Sequence, residues 1–200
     1  MASRLMHYII GNQILKGKSI DSDLFILGNL APDAEDGKLC SHFRKIIGND
    51  YDKYPNIDLN RFREKYINCS YNAFVMRYYC HLVSDYIWVQ SIYPKYLQFT
   101  TDKEKDKRQR ELLFRDLSIL NEILSKYFNL YYDNNIVIPQ KLSITECSYE
   151  GISELLDNLC EDFSEKHDDT NLKIFNTDFI LYYILEAKNQ CIKELEIFNI

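Results

Sequence analysis

Apolar residues recur three and four positions apart along most of this 200-residue chain. This spacing places them on one face of a helix, so it predicts helices almost throughout. The predicted helices cover residues 2–15, a short stretch after Asp21 that ends near Gly28, 58–66, 70–93, 102–128, 148–166 and a last segment that starts after Thr177. We therefore expect an all-α protein, a single-domain helical bundle of about six or seven helices that spans residues 1–200.

Residues 31–57 break this regularity. The segment contains Pro32, Gly37, Gly48 and Pro55, and it shows no clean periodicity. We therefore predict a long loop. A loop of this length is unusual in a compact domain unless it serves a function or is anchored, which directs attention to the polar side chains within it.

Composition and charge narrow the possible functions. The net charge of −6 and the pI of about 5.3 argue against stable nucleic-acid binding, because general nucleic-acid binders are basic. The chain has no run of 18 apolar residues and no uninterrupted apolar stretch near its start, so we expect no membrane insertion, no signal peptide and a cytoplasmic location. The six cysteines show no CxxC spacing and are typical of reduced thiols. These features leave the oligomeric state open.

A histidine and an aspartate four residues apart, His81 and Asp85, form the first candidate for chemistry. On a helix, residues i and i+4 lie on one face, so an imidazole nitrogen and a carboxylate oxygen point toward the same place. This arrangement holds two metal ligands rigidly. The alternative is a simple His–Asp hydrogen bond on a solvated face.

Three further residues are candidates for the same site: His7, Asp33 and His42. Each also has an ordinary explanation: a core histidine, a capping aspartate and an exposed loop histidine, respectively. Together with His81 and Asp85 they form a nitrogen and oxygen ligand set without cysteine, which suits zinc, manganese, iron or nickel. The remaining histidine, His167, lies in a polar segment, and we expect it to be solvated.

Asp116 and three arginines complete the candidates. Asp116 falls on an otherwise apolar helix face, where a carboxylate needs a partner. It is a candidate ligand of a second metal, a candidate acceptor for a metal-bound histidine, or a partner of a buried tyrosine or arginine. Arg4, Arg44 and Arg77 are candidates to bind the charge of a substrate.

Several short motifs give the chain a resemblance to a known family. The motifs are Ser3-Arg-Leu-Met-His7, Gly28-Asn-Leu-Ala-Pro-Asp33, Ser41-His42-Phe43, Phe62-Arg63-Glu-Lys65 and Tyr78-Tyr-Cys-His81-Leu-Val-Ser-Asp85. In this order, over roughly the first 90 residues, they resemble the zinc-dependent phospholipase C and single-strand nuclease superfamily, in particular its small bacterial intracellular relatives, known mainly as uncharacterised hydrolases.

The resemblance implies an all-α fold and a specific division of the ligands. Asp33, His42, His81 and Asp85 would bind one zinc, while His7 would help to bind a neighbouring zinc with Asp85 as the bridge. The chain also departs from the family pattern. Met1-Ala2 offers no obvious equivalent of the N-terminal ligand of the large secreted enzymes, and only His167 follows Asp85, so the family's later His/His/Glu group is absent. We therefore expect one or two metal ions rather than three.

These inferences favour a metal-dependent hydrolase that acts on phosphoester or phosphodiester bonds in a small soluble substrate. The metal would activate a water molecule, and Asp33 or Asp85 would orient that water or act as the base. The alternative is a non-enzymatic helical protein with a structural metal, whose coordination sphere would be closed. A phosphohydrolase of the HD type is a weaker third possibility, because the only His-Asp pair, His167-Asp168, lies in a polar segment.

Overall fold

Helices make up the main elements of the protein, and the all-α prediction is confirmed. The computed structural model describes residues 1–15, 22–35, 38–47, 54–69, 72–97, 102–132 and 135–197. The helices are α1 (Arg4–Leu15), α2 (Ser22–Leu30), α3 (Lys38–Ser41), α4 (Leu59–Tyr66), α5 (Ala73–Ile87), α6 (Tyr93–Tyr96), α7 (Lys103–Tyr127), α8 (Tyr149–Ser164) and α9 (Thr177–Ile197). In the part of the chain so described, seven of them have eight residues or more. None of the described helices is long and apolar enough to cross a membrane.

Side-chain caps explain where three of these helices begin. Asn72 accepts hydrogen bonds from the first backbone N–H groups of α5, Asp102 does the same for α7, and Ser148 for α8. These caps satisfy donors that have no partner inside the helix. The predicted starts at residues 102 and 148 are therefore correct to within one residue.

The predicted helix over residues 70–93 does not continue as a regular α-helix to its end. After Ile87 the chain forms a wider π-helical turn, Trp88–Ile92, and then the short α6. The Tyr93 backbone N–H donates to the Trp88 carbonyl, one residue further back than in an α-helix. Pro94 follows at once and has no backbone N–H, so a regular helix cannot run through it.

The segment 31–57, predicted to be a loop, contains several short elements. It begins with a 3-10 turn, Ala31–Ala34, continues into α3, and then forms an antiparallel pair of strands, β1 (Arg44–Ile47) and β2 (Tyr54–Ile57). Sequence periodicity missed these strands because each has only four residues. The pairing brings Arg44 opposite Ile57 and anchors the chain that follows His42.

A close contact between α2 and α5 sets the position of the functional residues. Gly28 on α2 lies so near α5 that a Cβ atom on it would be 2.3 Å from the Phe74 carbonyl oxygen. Only glycine permits this approach. Around this contact α1 packs against α2 and α5, and α9 packs against α5 and α1. The core that results contains Leu5, Ile9, Leu27, Leu82, Tyr183 and Ala187.

Candidate metal centre

Five side chains from four separate segments converge in the core. His7 lies on α1, Asp33 in the 3-10 turn, His42 directly after α3, and His81 and Asp85 one turn apart on α5. The ligand atoms of His7, Asp33 and His81 lie within 4.8 Å of one another, as do those of His42, His81 and Asp85. These are the five residues that the sequence analysis assigned to one site, and the two overlapping groups could hold a metal ion.

Asp85 lies at the centre of the cluster, and its two carboxylate oxygens contact different imidazoles. Oδ1 is 3.4 Å from Nε2 of His7, while Oδ2 is 3.4 Å from Nε2 of His42 and 3.3 Å from Nε2 of His81. Asp33 approaches from the other side, with its Oδ1 3.4 Å from His42 Nε2. The Nε2 atoms of His42 and His81 are themselves only 3.2 Å apart. All of these ring and carboxylate atoms therefore face a common centre.

The hydrogen bonds of His81 determine which of its ring nitrogens carries a proton. Its Nδ1 lies 2.8 Å from the backbone carbonyl oxygen of Asn29. A carbonyl only accepts, so Nδ1 must carry the hydrogen. In the neutral imidazole, Nε2 then presents a lone pair to His42 and Asp85.

The same reasoning applies to His7 through Ser84. The Ser84 hydroxyl donates to the backbone carbonyl of His81 at 2.8 Å, which uses its only hydrogen. It must therefore accept from Nδ1 of His7, 3.0 Å away. This leaves Nε2 of His7 with a lone pair directed at Asp85. Within the described part of the chain, neither His7 Nε2 nor Asp85 Oδ2 has a hydrogen-bond partner.

Burial sets the charges of the site. Burial lowers the pKa of His7, and it lowers the pKa of His42 to about 4, so both imidazoles are neutral at pH 7. Burial alone would raise the pKa of Asp85, but that pKa lies well below its ordinary value because His7 and His81 attract the carboxylate when either ring is protonated. The site thus combines an ionised carboxylate with imidazole lone pairs and leaves polar atoms unsatisfied. A divalent cation bound by nitrogen and oxygen ligands fits this donor set.

Residues around the cluster fix the orientation of the candidate ligands. The Asn29 side chain donates to the backbone carbonyl of His7, and the Tyr78 hydroxyl donates to the carbonyl of Ser41 at 2.6 Å. Phe43, next to His42, has a left-handed backbone (φ 48°), which is uncommon for such a bulky residue. Asn29, Ser84 and Tyr78 were not among the residues predicted for the site. Spacing offered a signal for two of them: Asn29 stands four residues before Asp33, and Ser84 follows His81 by one helical turn.

The cluster adjoins a cavity of about 590 Å³, and two of the three predicted arginines line it together with Asp33. Arg4 is paired with the Asp162 carboxylate, at 3.0 Å from its Nε. Arg44 differs, because its buried Nε has no hydrogen-bond partner among the described residues. Of the arginines that line this cavity, Arg44 is therefore the one whose guanidinium is least satisfied.

Arg77 does not line this cavity, which corrects its assignment as a substrate-binding residue. It is 1% exposed, and its guanidinium carbon lies 3.1 Å from the centre of the Phe25 ring. It also donates to the Cys80 sulfur at 3.4 Å. Although Arg77 lies one turn before His81 on α5, its guanidinium contacts Phe25 on α2 and the core instead of the cluster.

Asp116 and His167 lie outside the cluster. Asp116 is absent from both groups of described residues that could hold a metal; it accepts hydrogen bonds of 2.6 to 3.1 Å from the backbone N–H groups of residues 173–175. It also accepts one of 3.1 Å from the guanidinium of Arg115, so of its expected roles it has that of a partner of an arginine, although Arg115 is partly exposed. The Asp116 carboxylate therefore holds that loop on α7, and we withdraw it from the ligand set. His167 is not a solvated side chain, because only 17% of it is exposed and it contacts both Glu122 and Ser118.

Fold and site together define an all-α protein with a buried cluster of histidine and aspartate that could hold a metal ion. Comparison with protein-family models, with curated proteins and with solved structures finds no match for this chain.

Proposed function

We propose that the protein is a metal-dependent hydrolase of phosphoester or phosphodiester bonds in a small substrate. The observation that carries this proposal is the convergence of imidazole lone pairs and carboxylate oxygens beside a cavity that Arg44 lines. A bound cation would satisfy the buried acceptors, and the guanidinium would bind an anionic group nearby. The resemblance to the zinc-dependent phospholipase C and single-strand nuclease superfamily supports the same assignment.

Zinc is the metal that we favour, with manganese, iron and nickel as alternatives. His42, His81, Asp33 and Asp85 would hold one ion. Because the two oxygens of Asp85 contact different imidazoles, His7 and Oδ1 offer part of a second position. When bound, the metal supplies Lewis acidity, which lowers the pKa of a water molecule and polarises a phosphoryl oxygen.

The chain's own side chains would perform the remaining steps. Asp33 lines the cavity and belongs to the cluster, so its carboxylate is placed to orient a water molecule and to accept its proton. Arg44 would bind the substrate phosphate. Arg4, already neutralised by Asp162, would contribute less, and Asp85 would act mainly by holding the imidazoles in position.

The alternative proposal is a structural metal in a protein that is not an enzyme. One observation favours it: His7, His42, His81 and Asp85 are each 0% exposed. Such a site would pin α1, α5 and the segment 31–57 together without an open coordination position. The two proposals share the metal and differ in whether water and substrate can reach it.

Steady-state kinetics on a panel of p-nitrophenyl phosphomonoesters and phosphodiesters, with zinc or manganese, test the enzyme proposal. Loss of a charge-assisted hydrogen bond costs about 1.5–3 kcal/mol, so Arg44→Ala should lower kcat/KM by roughly 10- to 100-fold, mainly through KM. Lys45→Ala is the matched control on the same strand. Lys45 is paired with Asp58 at 3.2 Å and does not line the cavity, so its removal should leave both parameters unchanged.

Metal content and turnover, measured on the same preparations, together decide between the two proposals. Elemental analysis should find equal metal in the wild type, Arg44→Ala and Lys45→Ala, because neither side chain belongs to the cluster. Metal-loaded protein that turns over none of the panel would contradict the hydrolase and support the structural metal. Equal kinetics in Arg44→Ala and the wild type would remove Arg44 from the substrate site.

A further inference from the structure

A second group of polar side chains adjoins the same cavity, and one of its members, Ser118, lines it. Ser118 and Glu122 are one turn apart on α7, and His167 reaches them from the chain that follows α8. The Ser118 hydroxyl oxygen is 2.9 Å from Nε2 of His167, and the Nδ1 of this ring is 3.2 Å from the Glu122 carboxylate. A hydroxyl, an imidazole and a carboxylate are thus joined in sequence, as in nucleophilic serine sites.

The hydrogen bonds around Glu122 show which ring nitrogen of His167 carries a hydrogen. Lys126 donates to Glu122 at 2.7 Å, and the backbone N–H of His167 donates to it at 2.9 Å. The hydrogen bond from Lys126, more than any other contact, lowers the pKa of Glu122 to about 2, so the carboxylate is ionised. It can only accept, so Nδ1 of His167 carries the hydrogen. In the neutral form of the ring, Nε2 has a lone pair, and this nitrogen faces both the Ser118 hydroxyl and the Glu165 carboxylate, whose Oε1 is 3.5 Å away.

The surroundings of Ser118 indicate the kind of substrate. Leu113, Phe114 and Leu117 precede it on α7 and line the same 590 Å³ cavity, so they form an apolar wall beside the hydroxyl. Asn121 follows one turn later and also lines the cavity. Its Oδ1 accepts from the Ser3 hydroxyl at 2.8 Å, which leaves its Nδ2 as the donor of that side chain. Although Arg4 and Arg44 line the same cavity, the lining residues that precede Ser118 on α7 are apolar, and an apolar wall with an amide donor suits the acyl group of an ester.

We propose that Ser118 is a nucleophile toward carboxylic esters with a small apolar acyl group, activated by His167 and Glu122. In this step the Ser118 oxygen forms a bond to the carbonyl carbon, and its proton passes to Nε2 of His167. The bond between the carbonyl carbon and the alcohol oxygen breaks, and the alcohol leaves with the proton from His167. Water then hydrolyses the acyl-serine by the same proton route and regenerates the hydroxyl.

Glu165 competes with His167 for the Ser118 proton. The Ser118 hydroxyl lies 2.6 Å from Oε2 of Glu165, and a hydroxyl has one hydrogen for two acceptors. The Glu165 side chain is 54% exposed, so water can replace it as a partner. Glu165→Ala should therefore direct the hydroxyl to His167 and increase its reactivity. A purely structural role of this cluster predicts no such increase.

Covalent labelling tests this proposal without reference to the metal centre. The protein is treated with EDTA and then with a fluorophosphonate, and the modified peptide is identified by mass spectrometry. We expect one adduct, on Ser118. Labelling should be absent in Ser118→Ala and unchanged in Ser125→Ala, the matched control on the same helix, whose hydroxyl donates to the Glu122 backbone carbonyl instead. After EDTA treatment, the wild type and Ser125→Ala should hydrolyse p-nitrophenyl butyrate at equal rates, and Ser118→Ala should not hydrolyse it.

Two variants of the residues that would activate Ser118 test whether labelling requires activation by His167 or only exposure of the Ser118 hydroxyl. His167→Gln and Glu122→Gln should slow labelling about 100-fold, the usual effect of removing a general base. Glu122→Gln still offers an oxygen to the His167 backbone N–H, so it remains informative if His167→Gln melts at a lower temperature. Absence of a Ser118 adduct at concentrations that label a known serine esterase would overturn the proposal. So would equal labelling rates in the wild type and in both folded variants. Neither result depends on phosphoester turnover.

Discussion

Replacing Asp85 should stabilise the metal-free protein although it removes a central residue of the site. Asp85 Oδ2 lacks a donor while it lies 3.3 Å from Nε2 of His81 and 3.4 Å from Nε2 of His42. In Asp85→Asn, the carboxamide nitrogen supplies a donor to the Nε2 lone pair of His81, and the carboxamide oxygen still accepts from the Ala2 N–H, as Oδ1 does at 3.2 Å. An unsatisfied buried acceptor costs about 1–3 kcal/mol, and we expect a gain of that size in EDTA.

Zinc should make the wild type more stable than Asp85→Asn, the reverse of their order in EDTA. At about 1,000 times its dissociation constant, a ligand that binds only the folded state adds about 4 kcal/mol to the free energy of unfolding. The wild type should gain this increment. Asp85→Asn should lose most of it, because the substitution removes a negative charge and weakens a bridging ligand. The melting temperature of the wild type should therefore be the lower of the two in EDTA and the higher of the two in zinc.

Thermal unfolding followed by circular dichroism measures both states, and each 1 kcal/mol should shift the midpoint by about 2–4 °C for a chain of this size. Asp116→Asn is the matched control, because backbone N–H groups already satisfy that buried carboxylate. The free energy of unfolding of Asp116→Asn should be roughly 1.5–3 kcal/mol below that of the wild type, both with and without zinc. Zinc should therefore stabilise this variant as much as it stabilises the wild type. A lower midpoint of Asp85→Asn in EDTA, or a full zinc increment in that variant, would refute the reasoning.

Three further predictions concern the residues that support the fold and the site. Gly28→Ala forces α2 away from a backbone carbonyl of α5. It should lower the free energy of unfolding in urea by about 1–3 kcal/mol and weaken zinc binding. An unchanged free energy and an unchanged zinc affinity would mean that the two helices can move apart at no cost. Tyr78→Phe leaves the Ser41 carbonyl without its donor and should cost about 1–3 kcal/mol, which chemical denaturation would detect. Burial raises the pKa of Glu146, but the hydrogen bonds from Lys65, Tyr66 and Thr145 and the charge of Lys65 together lower it below its ordinary value. Its stabilising effect is therefore present at neutral pH and lost as the pH falls through that lowered pKa, and Glu146→Gln should show a flatter loss of stability in acid.

The helices and the set of clustered residues could be predicted from local sequence features. Side chains such as Asp102 and Ser148 cap the helices that they precede, and a cap acts over three residues. The spacing of His81 and Asp85 needs only helical geometry to place both on one face. The convergence of the five residues was therefore predictable from motifs, while metal binding itself stays a prediction.

The errors arise where a residue's partner lies far away in the sequence. Helical position placed Arg77 near His81 but gave no information on Phe25, which belongs to another helix and receives the guanidinium. Asp116 is satisfied by backbone groups 57 to 59 positions later. His167, expected to be solvated, contacts Glu122 across 45 positions. Pattern analysis detects a face that is buried, and it does not identify which distant group will satisfy a polar side chain there.

Anomalous diffraction from crystals of the zinc-loaded protein, recorded above and below the zinc absorption edge, tests the metal centre most directly. The account predicts an anomalous peak at about 2.0–2.2 Å from Nε2 of His42 and of His81, with carboxylate oxygens of Asp33 and Asp85 completing the sphere. A second, weaker peak between His7 and Oδ1 of Asp85 would indicate two ions. Zinc peaks only at surface residues, with Nε2 of His42 and of His81 still in direct contact, would contradict the metal centre.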